Sequence, residues 1–569
     1  MEDRMRARRS ALALILALAM GLSACASDDD GDGQGATSDT TGGAPTAEEN
    51  DINATDRDDL ADGGTLRWPI NEMPPNFNYH QLDGTLRDNS DVVSALMPGT
   101  FNFDAGAQPE IYEDYVTSAE ITATEPKQVV TYKINSKATW DDGKPITWAD
   151  FEAQWKAVGG ISEEYKVSST QGYDKMESVA KGGDDRDVVV TFKEPYADWQ
   201  GLFNPLYPAS TNSDPAVFND GWKEKPLVTA GPFKFESLDK TAQTITLARN
   251  DKWWGRPAKL DRIIYRVIDA DAQIDSLANG EIDFIDVGPD AAKLARAKTI
   301  SGVTLRKAGG PNFRHITING TSEVLKDVKV RKALGMAIDR QTIANALLGP
   351  LEVEAKPLNN HIFMVNQKGY QDNAGDLAKP DVEGAKTLLD EAGWKLEGAT
   401  RKKNGKELVV RFVIPSQVAS SKQEAELVQT MLAGVGAKLN VETVPSDEFF
   451  EEYVNKGNFD YTVFSWIGTP FPISSSKSIY ALPQGDDIQQ NYARVGSAEL
   501  DALFDKATAT FDFDDAAKLA NEIDTMIWEE VHSLTLYQRP EIVAVKTEFG
   551  NYGAFGFASK RYEDMGLKK

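Results

Sequence analysis

The chain has 569 residues, too many for one hydrophobic core, so we expect two or more domains at about 150 residues per domain. Its net charge of −27 argues against nucleic acid as a partner, and the repulsion between such acidic surfaces favours a monomer. With Cys25 as the single cysteine, the chain cannot form an internal disulfide or a zinc site built on several thiolates.

The first 24 residues have the pattern of a secretory signal peptide. Arginines at positions 4, 6, 8 and 9 precede an apolar run over 11–22, which is shorter than the roughly 20 residues that a membrane-spanning helix needs. The run ends in Leu22-Ser23-Ala24-Cys25, which resembles the bacterial lipobox, where the cysteine is acylated and the chain is cut before it. We therefore predict a lipoprotein signal over 1–24 and a lipidated Cys25 on the extracytoplasmic face of the cell membrane. The alternative is an ordinary secretory signal that happens to contain a cysteine.

Residues 25–62 are predicted to form a disordered acidic tether behind the lipid. This segment consists mainly of Asp, Gly, Ser, Thr and Ala, a composition that buries too little apolar surface to offset the loss of chain entropy. Repulsion between its carboxylates favours an extended chain. Folded structure is predicted to begin at Gly63.

From Gly63 onward, strand and helix patterns are mixed, as in an α/β protein. Alternating apolar residues predict half-buried strands at 130–134 and 188–192. Residues 263–285 predict a strand, a short helix that Gly280 ends, and a second strand.

The second half of the chain is richer in helix patterns. Ser421 and Glu424 have the spacing of a capping box at the start of one of these helices. Helices are predicted over 330–338, 382–392, 421–435, 500–507 and 519–527, and strands over 439–444, 459–467 and 534–537.

Motifs for catalysis or metal binding are missing from the sequence. The histidines are scattered, and none has the spacing of paired metal ligands: His80, His315, His361 and His532. There is also no nucleophile elbow and no phosphate-binding glycine loop. We therefore predict no catalytic residue, no metal site and no cofactor.

The most informative segment covers residues 138–151 and reads ATWDDGKPITWADF. It predicts a strand end, an Asp-Gly turn and a helix that Thr147 caps, with Asp150 in the first turn. The segment resembles the W-x-D-G-x-P-x-T-x-x-D signature of the peptide/nickel family of ABC-importer solute-binding proteins. Further matches follow in the family's order: GPF at 231–233 with LARNDKWW at 247–254, VRKAL at 330–334 with AIDR at 337–340, and LLDEAGW at 388–394.

The resemblance implies a two-lobed α/β fold that closes over its ligand about a hinge. It places lobe I at 63–305 with an extra subdomain at 84–212, lobe II at 306–531, and a return to lobe I at 532–569. The hinge strands would lie near Leu305 and Leu534. The resemblance also implies a binding protein, not an enzyme, that serves an ABC permease and ATPase made of other chains.

The predicted strand over 459–467 ends at Gly468, and ligands of α/β folds bind beyond the carboxyl ends of strands. The family's peptide binders have a tryptophan at the place of Trp466 and pair their backbone with an extended peptide. The predicted ligand-binding residues are Ser465, Trp466, Gly468 and Thr469, with Asn78, Tyr79, Phe101 and Asn102 on the opposite wall.

The sequence departs from the family pattern at Thr469. Peptide binders commonly have an aspartate there, three residues after the tryptophan, which binds the α-amine of the peptide. The ligand is therefore an oligopeptide held through its backbone, a peptide with a modified or buried terminus, or an oligosaccharide or metal chelate. A surface hydrolase or an adhesion lipoprotein is the alternative from another class.

Overall fold

The computed structural model describes residues 50–446, 448–485 and 488–569. The predicted signal peptide, Cys25 and the first part of the predicted tether lie outside these residues.

The strands, in chain order, are β1 (Thr65–Ile70), β2 (Phe101–Phe103), β3 (Pro109–Ile111), β4 (Val116–Ala123), β5 (Val129–Ile134), β6 (Met176–Lys181), β7 (Asp187–Phe192), β8 (Phe233–Asp239), β9 (Thr244–Arg249), β10 (Arg262–Val267), β11 (Phe284–Asp286), β12 (Val303–Ile318), β13 (Lys395–Glu397), β14 (Thr400–Lys403), β15 (Lys406–Glu407), β16 (Val409–Pro415), β17 (Lys438–Val444), β18 (Tyr461–Ile467), β19 (Ser533–Lys546), β20 (Phe549–Gly550) and β21 (Gly566–Leu567). The α-helices are α1 (Arg87–Ser94), α2 (Trp148–Val158), α3 (Ala209–Asn212), α4 (Gln273–Ala278), α5 (Ala291–Ala297), α6 (Val328–Met336), α7 (Arg340–Leu348), α8 (Val382–Glu391), α9 (Ala419–Ala433), α10 (Pro472–Tyr480), α11 (Ala498–Thr508) and α12 (Phe513–Glu530).

The first half of the chain is built on two four-stranded sheets. One has the order β1-β10-β9-β8, with β1 parallel to β10, and the other has the antiparallel order β4-β5-β7-β6. On β5, the alternating residues Val130, Tyr132 and Ile134 are buried, as the sequence pattern predicts. Both sheets contribute to one hydrophobic cluster, which we call the first core.

A six-stranded sheet of order β11-β19-β12-β18-β16-β17 supports the second half. Its long strands β12 and β19 pair antiparallel from Val303 opposite Lys546 to Thr317 opposite Ser533. The pairing is interrupted by register shifts between Gly309 and Phe313 and between Arg314 and His315. Such bulges bend a strand, so the pairing of β12 with β19 is irregular at these positions.

The strand β19 lies between the two large cores of the protein. Val543 and Val545 belong to the first core, whereas Ile542 and Ala544 belong to the second core, which also contains Leu334 of α6. Successive residues of a strand point to opposite faces, so this segment is a wall between the cores. The molecule thus has two lobes, and β12 and β19 contribute to both.

Most of the predicted elements in the second half are present. The strand, helix and strand predicted over 263–285 are β10, α4 and β11, and the predicted strand before Gly468 is β18. The helices predicted from 330, 382, 500 and 519 are α6, α8, α11 and α12.

The capping box predicted at Ser421 is wrong. Helix α9 begins at Ala419 behind Val418, two residues earlier, and no side chain caps it. Ser421 and Glu424 are fully buried, and both accept hydrogen bonds from the guanidinium of Arg314 on β12. A buried arginine thus uses the two side chains that the local pattern assigns to a helix cap.

The prediction that residues 50–62 are disordered is also wrong. Leu60 is 0% exposed and forms a β-bridge with Lys568, and Asp51 forms one with Ala554. A Cβ at Gly550 would lie 2.8 Å from Leu60 Cδ2, so glycine leaves the space that the leucine fills. The segment contains few apolar residues, but one of them, Leu60, is buried against the C-terminal tail.

The cap predicted in the signature segment is confirmed. Asp150 Oδ2 accepts a hydrogen bond from the backbone N–H of Thr147 at 2.8 Å, and Oδ1 accepts one from Ala209 N–H at 2.8 Å. The aspartate therefore fixes the start of α2 against the start of α3. This role of Asp150 is structural.

Candidate functional site

A cavity of about 750 Å³ lies where the first lobe meets the two long strands. Its volume is within the range of roughly 300–1,000 Å³ that is typical of small-molecule sites. Its lining includes Tyr79, Arg87, Asp91, Phe101 and Asn102 from the first lobe, Gly310, Pro311 and Asn312 from β12, Ile467 from β18, Arg539, Pro540 and Glu541 from β19, and Phe555, Ser559, Lys560 and Tyr562 from the C-terminal tail.

Three of the four residues predicted on the first-lobe wall line this cavity: Tyr79, Phe101 and Asn102. Burial raises the pKa of the Tyr79 phenol, so this side chain is a neutral donor at physiological pH. Asn78 does not line the cavity. Its Nδ2 donates to Phe218 O at 3.0 Å and its Oδ1 accepts from His80 N–H at 3.1 Å, so it holds the loop that presents Tyr79.

Trp466 does not line the cavity. Its ring stacks on Tyr492, with centroids 5.7 Å apart and planes inclined by 2°, and on His315, at 5.7 Å and 14°. Burial lowers the pKa of His315 well below its ordinary value, so the imidazole in this stack is neutral. Its strand neighbour Ile467 is 74% exposed and does line the cavity. A ligand contact through Trp466 stays a prediction.

Gly468 and Thr469 form the turn that follows β18. Gly468 N–H donates to Pro311 O at 2.7 Å, and a Cβ on this glycine would lie 2.5 Å from the same oxygen, so only glycine fits. Thr469 Oγ1 donates to Ser475 Oγ at 3.1 Å and accepts from Phe471 N–H at 3.2 Å. The threonine that replaces the family's aspartate therefore stabilises the start of α10.

The strand β18 has an unpaired edge close to the cavity. Along β12 it is paired from Tyr461 to Ile467, but its register with β16 on the other side contains only Tyr461 and Thr462. In the part of the chain that the structure describes, residues 463–467 have no strand partner on that side. Unpaired strand edges accept extended segments by main-chain hydrogen bonding.

Most of the charged side chains that line the cavity form ion pairs within the protein. Arg87 Nη2 lies 3.3 Å from Asp286 Oδ2, Lys560 pairs with Asp91, and Glu563 Oε1 lies 2.6 Å from Arg561 Nη2. Arg539 and Glu541 lie outside these pairs. Burial lowers the pKa of Arg539 and raises that of Glu541 to about 7, although a hydrogen bond from Gly556 N–H opposes the shift of the carboxyl.

Sequence reasoning missed the contributions of the two long strands to this cavity. Gly309-Gly310-Pro311 interrupts the apolar alternation of β12, and such a run inside a strand indicates a bulge. That signal could have drawn attention to residues 310–312. Arg539 and Glu541 had no comparable signal, since charged residues are frequent throughout this chain.

The paired lobes, the two strands that join them and the cavity at their junction define a protein that binds a ligand between its lobes. Residues 108–486 match the sequence profile of the bacterial extracellular solute-binding proteins, family 5, and the chain belongs to that family. The oligopeptide-binding protein OppA of Mycobacterium tuberculosis is 40% identical over 537 residues, which cover 92% of this chain and 90% of that protein.

Solved structures show the same fold. The periplasmic EDTA-binding protein EppA superposes with a TM-score of 0.82 at 27% identity, over 92% of this chain and 99% of that one. The oligopeptide-binding protein AppA from Bacillus subtilis, in complex with a nonapeptide, superposes with a TM-score of 0.70 at 22% identity, over 90% of this chain and 100% of that one.

Two features are absent from the described residues. None of their helices combines the length and the apolar character needed to cross a membrane. Within the same ranges, no group of three or more His, Cys, Asp or Glu side chains is arranged to hold a metal ion.

Proposed function

We propose that this protein is a lipid-anchored receptor that captures oligopeptides outside the cytoplasm and delivers them to an ABC importer. The observation that carries the proposal is the unpaired edge of β18, which reaches the surface at Ser465, Trp466 and Ile467, next to a cavity of about 750 Å³. The 40% identity to mycobacterial OppA, a protein named for oligopeptide binding, supports it.

The unpaired edge favours recognition by strand addition. A peptide that lies along it can form main-chain hydrogen bonds whatever its side chains are, each contributing about 0.5–1.5 kcal/mol net. Peptides of many sequences would then be bound, while the cavity selects for size and charge. No bond of the ligand is broken, and no cofactor is required.

Ligand binding would be coupled to closure of the lobes. The proposed lobe boundaries at residues 305 and 531 lie within β12 and just before β19. A ligand favours the closed state only through contacts that are better in that state, and contacts from Ile467 together with those from the first-lobe wall meet this condition.

The proposed anchor is the lipid on Cys25, with the residues up to about 49 as the link to the folded body. The permease and the ATPase would be separate chains, and the receptor itself would act as a monomer. Replacing Cys25 by serine should release the protein from the membrane fraction and leave its ligand affinity unchanged. Retention of the Cys25→Ser variant in washed membranes would contradict lipid anchoring.

Isothermal titration calorimetry against panels of peptides and oligosaccharides tests the ligand class, with mass spectrometry of the recovered ligands as the control for cleavage. We expect peptides to bind and to be recovered intact. Binding of sugars alone would favour the oligosaccharide alternative. Turnover of the ligand would instead indicate a hydrolase.

A metal chelate is the second candidate ligand, because the superposition with the EDTA-binding protein EppA has a TM-score of 0.82. The cationic side chain of Arg539 on the cavity wall suits the carboxylates of such a chelate. Titration with Fe(III)-EDTA in the presence and absence of peptide separates the two ligands. Tight chelate binding that peptide does not displace would favour this second candidate.

A further inference from the structure

The strand β19 provides two charged groups to the cavity that form no ion pair within the described part of the chain. These are Arg539 and Glu541, and both line the cavity. The other charged side chains on the wall are paired, as described above. Since partly buried charges without counter-charges are costly, these two groups are candidates for contact with an ionic ligand.

The carboxylate of Glu424 forms no ion pair with Arg539, and other groups already donate hydrogen bonds to it. Glu424 accepts hydrogen bonds from Arg314 Nε at 3.0 Å and from the Tyr537 hydroxyl at 2.7 Å. The contact of Arg539 itself is a hydrogen bond from Nη1 to Ser465 Oγ at 3.4 Å, which does not neutralise its charge. The planar guanidinium can still bind a carboxylate through two parallel hydrogen bonds.

Glu541 is an anionic group that likewise has no ion-pair partner in the described part of the chain. Its Oε2 accepts a hydrogen bond from Gly556 N–H at 2.6 Å, so one oxygen is fixed against the C-terminal tail. The nearby cations are engaged elsewhere, Arg87 with Asp286 and Lys560 with Asp91. The second oxygen of the carboxyl has no hydrogen-bond partner within residues 50–446, 448–485 and 488–569, and can accept from a ligand ammonium.

We propose that Arg539 and Glu541 are the ionic anchors of the ligand, with Arg539 binding a carboxylate and Glu541 binding an ammonium group. This inference rests on the proposed function and adds the charge pattern of the ligand. The residues are two positions apart on one strand, a separation of roughly 6.6 Å along the backbone. Their ligand groups are therefore distinct, as in a zwitterionic peptide, and Glu541 takes the role that the missing aspartate at Thr469 leaves open.

The carboxylate and the ammonium can come from the peptide termini or from acidic and basic side chains. Calorimetry with a tetrapeptide that lacks charged side chains, in its free, N-acetylated and C-amidated forms, tests the termini. In the unmodified protein we expect each cap to weaken binding about tenfold. Arg539→Gln should remove the effect of amidation only, and Glu541→Gln should remove the effect of acetylation only.

A second experiment tests the side chains. It compares the affinity of a doubly capped peptide that contains one Lys and one Asp with that of the same peptide in which both residues are alanine. Tighter binding of the charged peptide, abolished by the same two substitutions, would also support the anchors and would assign them to side chains. Arg262→Gln is the matched control, because Arg262 pairs with Glu236 on the surface and does not line the cavity. This variant should discriminate between all the peptides as the unmodified protein does.

Thermal unfolding of each variant checks that it is folded before its affinities are compared. The anchors are refuted if neither the terminal caps nor the charged side chains change the affinity of the unmodified protein. They are also refuted if Arg539→Gln and Glu541→Gln show the same affinity differences between peptides as the unmodified protein. Peptide capture itself would stand in both cases. Failure of all the peptides to bind would overturn the proposed function together with the anchors.

Discussion

The buried ion pair between Arg314 and Glu424 shows that the role of a side chain can be set by a residue far away in the sequence. Their side chains are 6% and 0% exposed, and the Tyr537 hydroxyl adds a hydrogen bond to the same carboxylate. Sequence inspection interpreted Glu424 as part of a helix cap, because a local pattern contains no information about a partner 110 residues away. The pair connects β12 to α9.

Replacing Glu424 by alanine should lower the free energy of unfolding by about 3–5 kcal/mol, because it leaves the Arg314 guanidinium buried without its partner. Urea denaturation followed by tryptophan fluorescence measures the change. The matched control is Glu452→Ala, which removes an exposed pair with Lys456 and should cost about 0–1 kcal/mol. Equal losses in the two variants would refute a special role of the buried pair.

Glu541 should make stability depend on pH. Burial raises its pKa to about 7 from an ordinary value of 4.5, despite the neighbouring cations Lys560 and Arg87, and Asp286 adds to the rise. Between these pH values the folded state keeps a proton that the unfolded state has released, so stability falls as pH rises and the full cost is present above pH 7.

Glu541→Gln should therefore stabilise the protein by about 1–3 kcal/mol at pH 8 and have little effect at pH 4.5, since one pKa unit corresponds to about 1.4 kcal/mol. The amide oxygen of glutamine can still accept the hydrogen bond from Gly556 N–H. Denaturation curves of both proteins across this pH range provide the measurement. A stability difference that is constant with pH would exclude titration of this carboxyl as the cause.

At the level of elements, the N-terminal segment of the described chain packs against the C-terminal tail. The segment 50–62 contains a short 3₁₀ helix, Arg57–Asp59, and Arg57 Nη1 pairs with Asp564 Oδ1 at 2.8 Å. Its order depends on glycines at the far end of the sequence, which composition statistics over a short window do not include. Folded structure is accordingly present from residue 50 onward, ahead of the predicted start at Gly63.

Leu60→Ala should destabilise the protein by about 2–5 kcal/mol, because it empties a fully buried site next to Gly550. The control is Leu82→Ala, since Leu82 is 61% exposed and its truncation should change stability by less than about 0.5 kcal/mol. Thermal unfolding of both variants measures the difference. If Leu60→Ala is as mild as the control, the segment does not contribute to the folded body.

The sequence predicted the ends of β18 well but not its pairing. Alternation and the glycine at 468 locate the strand, because both are local signals. The edge that stays free depends on where β16 diverges after Val413, and this follows from the packing of the entire sheet. The pairing on which the proposed peptide binding rests was therefore not predictable from the residues of β18 alone.

For the whole molecule, the motif resemblance predicted two lobes, and the structure adds that they share a wall. The cavity is built from residues near 79–102, 310–312, 539–541 and 555–563, segments that only the complete fold brings together. Sequence reasoning identified Tyr79, Phe101 and Asn102 on one side. It missed the opposite side because Arg539 and Glu541 resemble ordinary charged residues of an acidic protein.

Because β19 contributes alternate residues to both cores, the lobes should unfold together. We expect one thermal transition in scanning calorimetry, even though the chain is long enough for independently folding domains. Saturating peptide at 100 times its dissociation constant should stabilise the folded state by about 2.7 kcal/mol. Two resolved transitions, with only one shifted by ligand, would show that the shared wall does not couple the lobes.

The bulge at residues 310–312 has a consequence for how long a ligand stays bound. The segment 542–545 is held between the cores, so bending of the long strands is easiest at the bulge, which also lines the cavity. A ligand seated there touches the segment that must flex to let it out. The contacts of the bound ligand would make this segment more rigid and so slow its own release. We therefore expect a larger ligand to lengthen the residence time by a greater factor than it lowers the association rate.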